Sequence, residues 1–328
     1  MTLLINGQEI GPIGYGLMGF TWRPEPTPYE KAFEAMREAL ANGMNFWNAG
    51  EFYGTPENNS CTLLEAYFAK YPEDADKVVL SIKGCIDPKT HRPDCTRAGV
   101  RRSIDTCLAL LKGRKKIDVF ECARREQGVD MSETFSAIQE YIDQGLVGAI
   151  SLSEVAPETI HAAVKLTKVV FVELELNLWT TDILTNGVAA ACAQYNLPIV
   201  AYSPLGSGML TGKIKSIDDI PNPAVKTYPR FQPDVFHLNL ELVKQVEALA
   251  AKKGCTPAQL AINWTRAIAR RAGVPTIIPI PGATRTPIVK ENSRLVDITD
   301  AELDEIDATL AKFEIKGERF PEHIPVNT

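Results

Sequence analysis

The sequence predicts a (β/α)8 TIM barrel with an N-terminal hairpin and extra C-terminal helices, built as one domain over residues 1–328. Short apolar runs rich in Val, Ile and Phe occur eight times along the chain, as expected for strands that are buried on both faces. Amphipathic segments of helical period separate these runs, so the strands should be parallel and joined by helical crossovers. Eight such units in about 300 residues favour a closed barrel over an open sheet.

The predicted strands are three to six residues long. They are Ile13–Met18, Asn45–Trp47, Val78–Ile82, Ile117–Cys122, Val147–Leu152, Val169–Leu174, Pro198–Tyr202 and Thr276–Pro279. Before the first strand, Asn6-Gly7 inside Leu3–Ile10 is typical of a two-residue hairpin turn. In a barrel, this hairpin would cover the bottom.

Helices are predicted from apolar periodicity and from signals at their ends. Thr27-Pro28 puts a proline at a helix start, and Gly145 is a typical residue just after a helix end. The predicted helices are Tyr29–Asn42, Thr62–Lys70, Ala98–Leu111, Ser132–Gln144, Pro157–Leu166, Thr181–Tyr195, Leu240–Lys253 and Pro257–Arg270. The segment from Ser207 to about Asn239 has no sustained period and is predicted to be a long loop, of the kind that forms lids or cofactor clamps.

An open, doubly wound dinucleotide-binding sheet is the competing fold. The segment Gly14–Gly19 matches the G-x-G-x-x-G pattern of that fold by its letters. The pattern requires a helix directly after it, but Phe20–Pro24 follows, and two more prolines precede Tyr29. The sequence therefore favours the barrel.

Composition excludes several classes of function. The formal net charge of −6 gives no sign of a nucleic-acid partner, and no apolar stretch approaches the roughly 18 residues that span a membrane. The seven cysteines contain no C-x-x-C and are expected to be reduced thiols of a cytoplasmic, or alternatively nuclear, protein. The oligomeric state is left open. No metal is expected, because the four histidines have no ligand spacing: His91, His161, His237 and His323.

In a barrel of this kind, functional side chains collect at the carboxyl ends of the strands. Asn48 and Tyr53 follow the second predicted strand, and Lys83 follows the third. A lysine ammonium close to a phenol favours the phenolate and lowers the pKa of the tyrosine. Such a pair can protonate the oxygen of a carbonyl while hydride arrives at its carbon. The sequence therefore predicts a reductase or dehydrogenase that needs no metal.

Five motifs in the same order resemble those of aldo-keto reductases, and the resemblance extends over nearly the whole chain. They are Gly43–Gly54, Lys83, Ile150–Glu154, Val200–Gly208, and Ile278–Ala283 with Lys290–Asn292. The resemblance implies that Tyr53 is the general acid and that Lys83 lowers its pKa. It also implies that Asn48 positions Lys83.

The same resemblance implies NADPH as the cofactor. Ser153, Glu154 and Glu173 would hold the nicotinamide carboxamide, and Tyr202 would stack on the ring. Arg285 would meet the 2′-phosphate beside a helix N-terminus, although Ile288 stands where many members place their phosphate-binding arginine. The full expected set is Gly16, Met18, Ser153, Glu154, Glu173, Tyr202, Ser203, Leu205, Gly206, Ser207, Gly208, Gly282, Thr284, Arg285, Glu291 and Asn292. The expected substrate contacts are Trp22, Phe52 and Arg124.

Three further positions depart from the usual pattern of the family, which has aspartate at Asn48, histidine at Ala123 and glutamine at Glu173. Asn48 is expected to bond Lys83 through its amide oxygen, and the missing carboxylate charge is expected to lower the pKa of Tyr53 further. Either Glu51 or Arg124 could fill the space beside Ala123.

The motif variants resemble those of one branch of the family, the yeast-type pyridoxal reductases. This resemblance implies reduction of a small-molecule aldehyde with NADPH, with pyridoxal as the first-choice substrate and pyridoxine as the product. A broad aldehyde reductase is an alternative. The others are a non-catalytic NADPH-binding protein and a regulatory subunit of the potassium-channel beta type.

Overall fold

The computed structural model describes residues 3–322, 324–326 and 328, and its central feature is a ring of eight parallel strands. The strands follow one another around the ring in chain order. The first and last strands also meet: the amide of Gly14 donates to the carbonyl of Pro279 at 2.9 Å, and Gly16 bridges Gly282. The closed barrel predicted from the alternating pattern is confirmed.

Ten strands lie within the described residues. They are β1 Leu3–Ile5, β2 Gln8–Ile10, β3 Tyr15–Gly16, β4 Phe46–Gly50, β5 Val79–Gly84, β6 Val119–Cys122, β7 Ile150–Ser153, β8 Val169–Glu175, β9 Ile199–Tyr202 and β10 Ile277–Pro279. Four barrel strands extend past their predicted ends, because polar residues such as Asn48 and Lys83 continue the ladder while remaining buried. A pattern based on apolar runs stops too early at such residues.

Twelve α-helices surround the ring or lie beside it within the described residues. They are α1 Met18–Thr21, α2 Tyr29–Ala41, α3 Ser60–Lys70, α4 Arg97–Leu111, α5 Met131–Asp143, α6 Pro157–Leu166, α7 Val188–Gln194, α8 Pro223–Lys226, α9 Pro233–Lys253, α10 Pro257–Ala267, α11 Thr286–Ser293 and α12 Asp300–Leu310. The extra C-terminal helices are α11 and α12.

Two predictions about helices were wrong. The segment 181–195 is not one helix: a short 3-10 turn, Asp182–Leu184, is separated from α7 by Gly187, whose φ of 95° breaks the helix. The long loop ends seven residues early, because α9 begins with Pro233 in its first turn, where proline fits a helix. Inside the loop are the short helix α8 and three 3-10 turns.

The N-terminal hairpin covers the bottom of the barrel, as predicted. Asn6 and Gly7 have φ angles of 46° and 78°, which suit a tight turn between β1 and β2. Ile5 and Ile10 join an apolar layer inside the barrel. The other buried members of that layer are Phe46, Val79, Val119, Ala149, Phe171, Val200, Ile278 and Ile280.

Polar residues replace this apolar layer two positions further along the strands. Side chains alternate between the faces of a strand, so a step of two keeps the side chain inside the barrel. The residues reached by that step are Asn48, Ser81, Glu121, Ser151, Glu173 and Tyr202. The barrel is therefore apolar at the bottom and polar toward the carboxyl ends of its strands.

Among the described residues, no helix is both long enough and apolar enough to cross a lipid bilayer. The same part of the chain holds no group of three or more His, Cys, Asp or Glu side chains arranged to bind a metal ion. His323 lies outside the described residues.

Candidate active site

A hydrogen-bonded cluster of four side chains lies at the polar end of the barrel. The Lys83 ammonium is 3.3 Å from the Tyr53 hydroxyl oxygen and forms an ion pair with Glu173. The Asn48 amide donates to the second Glu173 oxygen at 2.6 Å. All four side chains are buried, with exposed fractions between 0% and 6%. The structure thus brings Tyr53 and Lys83 together.

Two glycines and a threonine shape the turn that carries Tyr53. The Tyr53 amide donates to the carbonyl of Gly50, and the ring packs so closely that a Cβ on Gly50 would lie 2.9 Å from its atoms. Thr21 donates its hydroxyl to the Tyr53 carbonyl at 2.6 Å. Gly54 has a φ of 123°, a conformation that favours glycine. The turn therefore depends on small residues on both sides of the phenol.

The position of Asn48 differs from the expectation. Its amide oxygen was expected to accept from Lys83, but Glu173 lies between the two side chains and contacts both. The sequence resemblance assigned Glu173 to the cofactor, whereas its carboxylate here faces the lysine. Asn48 in β4 supplies no carboxylate to Lys83, and the carboxylate of Glu173 in β8 pairs with the lysine in its place.

Burial and neighbouring charge oppose each other at Tyr53. Burial raises the pKa of the phenol, the Lys83 ammonium lowers it, and the Glu173 carboxylate raises it again. The net direction is upward, which differs from the lowered pKa expected from the sequence, because burial outweighs the Lys83 charge and Glu173 offsets part of that charge. Burial lowers the pKa of Lys83, but Glu173 and the surrounding acidic groups raise it more, so the lysine stays charged.

Glu121 is a second buried carboxyl group, and the sequence reasoning missed it. Ser151 donates to one of its oxygens at 2.8 Å, and the other oxygen has no hydrogen-bond partner among the described residues. Burial and the nearby Glu173 carboxylate raise the pKa of Glu121 well above its usual range, while Lys83 opposes them. The available signal was a charged residue inside the apolar run of β6.

Glu154 forms a second buried cluster beside the first. Arg319 lies 2.8 Å from one carboxylate oxygen, and Tyr202 donates its hydroxyl to the other at 2.8 Å. Burial alone would raise the pKa of Glu154, but Arg319 and Arg124 lower it overall. Sequence reasoning missed Arg319, because no motif surrounds it. Glu154 was expected to contact the cofactor, and in the structure both of its carboxylate oxygens already have partners.

The described residues fit a nicotinamide nucleotide at several expected positions. Ser153 Oγ is buried at the end of β7 without a hydrogen-bond partner among the described residues, and both amide atoms of Asn292 are in the same condition. The Tyr202 ring lies over the Lys83 ammonium, with its centroid 5.2 Å away. Buried polar atoms without partners are unfavourable, so these groups are suited to receive a polar ligand.

The loop after β9 has an unusual backbone at several expected cofactor positions. Four of its residues have φ angles between 48° and 95°: Ser203, Gly206, Ser207 and Gly208. Such conformations are unfavourable for serine and concentrate at ligand-binding sites. Leu205 is partly buried against the core within this loop.

The remaining expected cofactor residues lie around the β3 and β10 ends and α11. Gly16 and Gly282 pair where the barrel closes, and Met18 is 41% exposed in α1. Thr284 and exposed Arg285 directly precede α11. Glu291, in α11, faces Lys213 of the long loop at 3.6 Å.

Aromatic side chains line one side of Tyr53. Trp22 is 45% exposed, and its ring centroid lies 5.7 Å from Phe52 and 5.5 Å from Tyr53. Arg124, the third expected substrate contact, donates to the carbonyl of Pro325 at 2.7 Å. Glu51 forms an ion pair with Arg102, so it is directed to α4.

A closed barrel with a buried lysine–tyrosine pair at its carboxyl-end face points to the class of barrel oxidoreductases. The chain belongs to the aldo/keto reductase family, whose model matches residues 12–311. Aldo-keto reductases use nicotinamide cofactors and act on small molecules.

Known proteins similar to this chain include two from Schizosaccharomyces pombe. One, named "Probable pyridoxal reductase 2", is 40% identical over 325 residues, which cover 97% of this chain and 96% of the relative. The other, named an NADP(+) aldo-keto reductase, is 30% identical over 333 residues, which cover 98% of this chain and 94% of the relative. A solved glycerol dehydrogenase from Gluconobacter oxydans matches with a TM-score of 0.81 at 20% identity over 99% of both chains, which shows the shared fold.

Proposed function

We propose that this protein reduces an aldehyde to an alcohol with NADPH, that pyridoxal is its substrate and pyridoxine its product, and that residues 1–328 form one catalytic domain. The observation that carries the proposal is the 3.3 Å contact between the Lys83 ammonium and the Tyr53 hydroxyl, buried at the carboxyl-end face of the barrel. A proton donor next to a fixed cation suits a reaction that places negative charge on a carbonyl oxygen.

Tyr53 would donate its proton to the carbonyl oxygen of the substrate. Burial keeps the phenol protonated before the reaction, since it raises the pKa of Tyr53. Lys83 then stabilises the phenolate that remains, because its ammonium stays charged. When bound, the reduced nicotinamide supplies hydride to the carbonyl carbon.

Residues of three regions would hold the cofactor. Ser153 would form a hydrogen bond with the carboxamide, and Asn292 would form one with the adenine, because both side chains have buried polar atoms without partners among the described residues. The loop Ser203–Gly208 would follow the phosphates with its backbone. Arg285, exposed before α11, would pair with a 2′-phosphate. The relative with NADP(+) in its name supports the same choice of cofactor.

Pyridoxal as substrate is supported by the relative named a pyridoxal reductase and by the aromatic wall of Trp22 and Phe52. The two rings meet edge to face beside Tyr53, with an exposed indole that could stack on a flat pyridine ring. The aldehyde carbon would then lie within reach of the phenol.

The test is a turnover assay with purified protein, NADPH and a panel of aldehydes that includes pyridoxal and aliphatic aldehydes of similar size. Loss of reduced-nicotinamide absorbance with pyridoxal, and formation of pyridoxine by chromatography, are expected. Oxidation of NADPH by every aldehyde at similar efficiency would indicate a broad reductase instead. No oxidation by any aldehyde at high protein concentration would reject the catalytic proposal.

A further inference from the structure

We infer that Glu173 is the counterion and positioning residue of Lys83, and that Asn48 acts on Glu173 rather than on the lysine. The inference rests on the proposed function, since it concerns the same proton donor. Glu173, which the sequence resemblance assigned to the cofactor, would thus act on the proton donor.

A buried cation needs an opposite charge close to it. Lys83 is only 5% exposed, and an isolated buried ammonium is strongly unfavourable. Among the described residues, Glu173 is the carboxylate in direct contact with it. Glu121, on the neighbouring strand, bonds to Ser151 instead. The charge that stabilises the lysine therefore comes from Glu173.

The two carboxylate oxygens of Glu173 have different partners. One accepts from Lys83 and the other accepts from the Asn48 amide at 2.6 Å. Two hydrogen bonds to separate oxygens fix the plane of the carboxylate. Asn48 itself is held in β4, between β3 and β5, and is 3% exposed.

The negative charge of Glu173 accounts for the amide at residue 48. An aspartate there would place a second carboxylate within hydrogen-bonding distance of Glu173. Two carboxylates at that distance cannot both be ionised, so one would take up a proton. An amide can donate a hydrogen bond to the carboxylate without adding charge. Asn48 and Glu173 therefore form a complementary pair that places one negative charge on β8.

The consequence for Tyr53 is electrostatic and geometric. Lys83 lies between Glu173 and the phenol, so the carboxylate fixes where the ammonium meets the hydroxyl oxygen. It also offsets the lysine charge, which keeps the phenol protonated. Removing the carboxylate should lower the pKa of Tyr53, and Lys83 should become free to move.

The experiment compares Glu173→Gln, the double variant Asn48→Asp/Glu173→Gln, and Glu121→Gln as a matched control. Each keeps side-chain size, and Glu121 is a buried glutamate in the same interior whose carboxylate accepts from Ser151 rather than from Lys83. The first readout needs no turnover: the tyrosinate absorbance that Tyr53→Phe removes is titrated against pH. We expect this titration to move by about one pH unit or more to lower pH in Glu173→Gln. It should return toward the wild-type position in the double variant and move much less in Glu121→Gln, because Glu121 raises the pKa of Tyr53 more weakly than Glu173 does.

The second readout is the pH profile of kcat and KM for reduction. We expect kcat of Glu173→Gln to fall about tenfold or more near neutral pH, with KM for NADPH nearly unchanged, and the double variant to recover part of the loss. An increase in KM for NADPH without a shift of the titration would assign Glu173 to the cofactor and overturn the inference. So would a Glu173→Gln variant with the wild-type titration. Because that titration is independent of turnover, a protein without aldehyde reductase activity would reject the proposed function and still test this inference.

Discussion

Arg319 holds Glu154 in a buried ion pair, with 2.8 Å between Nη2 and Oε2, although 165 residues separate the two along the chain. The arginine also approaches Glu175 at the end of β8, at 3.5 Å. Thr328 adds backbone bonds on the same side, from its amide to the Glu154 carbonyl and from Ala156 to its own carbonyl, each at 3.0 Å. The C-terminal segment is thus fastened to the carboxyl ends of β7 and β8.

Removing this arginine should loosen that segment. Arg319→Met leaves two buried carboxylates without their cation, and breaking a buried pair in this way costs about 3–5 kcal/mol. We expect a lower Tm and faster amide hydrogen exchange at Ala156 and Thr328, whose amides form the backbone bonds of this segment. Lys316→Met is the matched control, because Lys316 is 43% exposed and its ion-pair partner is the exposed Glu314. Equal exchange rates in both variants would show that the ion pair does not hold the segment.

Acid should weaken the same pair in a predictable direction. Arg319 lowers the pKa of Glu154 in the folded protein, relative to the unfolded chain, so the stability it provides is fully present above the unfolded value of about 4.3. It is lost as the pH falls through the lower folded pKa. We expect the difference in unfolding free energy between wild type and Glu154→Gln to be constant from about pH 6 to 8 and to shrink below about pH 4. Urea unfolding at a series of pH values measures it, and a constant difference down to pH 3 would contradict the assignment.

Much of this architecture could be predicted from the sequence, since it depends on local patterns. The alternation of apolar strands and amphipathic helices defines a closed barrel, and Asn6-Gly7 defines the hairpin. The contacts between Tyr53 and Lys83 follow from where their strands end. The partner of Lys83 could not be predicted in this way. Glu173 meets Lys83 from another strand of the barrel, and Arg319 meets Glu154 from the C-terminal segment. A pattern along one strand carries no information about which charges meet.

The close contact between Gly50 and Tyr53 predicts a sensitive position. A Cβ at Gly50 would lie 2.9 Å from the phenol ring, too close to be accommodated without moving it. Gly50→Ala should therefore displace the hydroxyl from Lys83 and lower kcat about tenfold or more, with a small change in Tm. Gly19→Ala is the control, because its Cβ would make an ordinary 3.7 Å contact with Thr284. Full activity of Gly50→Ala would show that the ring position is not critical.

Arg285 provides a test of cofactor choice. Its guanidinium is exposed directly before α11, where it could pair with a 2′-phosphate that NADH lacks. Arg285→Ala should raise KM for NADPH about tenfold and leave KM for NADH within about twofold. Arg294→Ala, at the other end of the same helix, should change neither value. If both cofactors lost affinity equally in Arg285→Ala, the arginine would bind a feature that they share.

The strongest test of the chemistry compares the two members of the central pair. Tyr53→Phe keeps the ring and its aromatic contacts but removes the proton, so kcat for aldehyde reduction should fall by at least about 100-fold while NADPH affinity stays nearly unchanged. Lys83→Met should also reduce kcat strongly, and it leaves Glu173 as a buried carboxylate without its cation, so its Tm should fall as well. Both variants should therefore have a low kcat, but only Lys83→Met should have a clearly lower Tm. Steady-state kinetics and thermal unfolding on the same preparations measure both quantities. A Tyr53→Phe variant with wild-type kcat would mean that another group donates the proton, and the aromatic turn at the end of β4 would then have a structural role only.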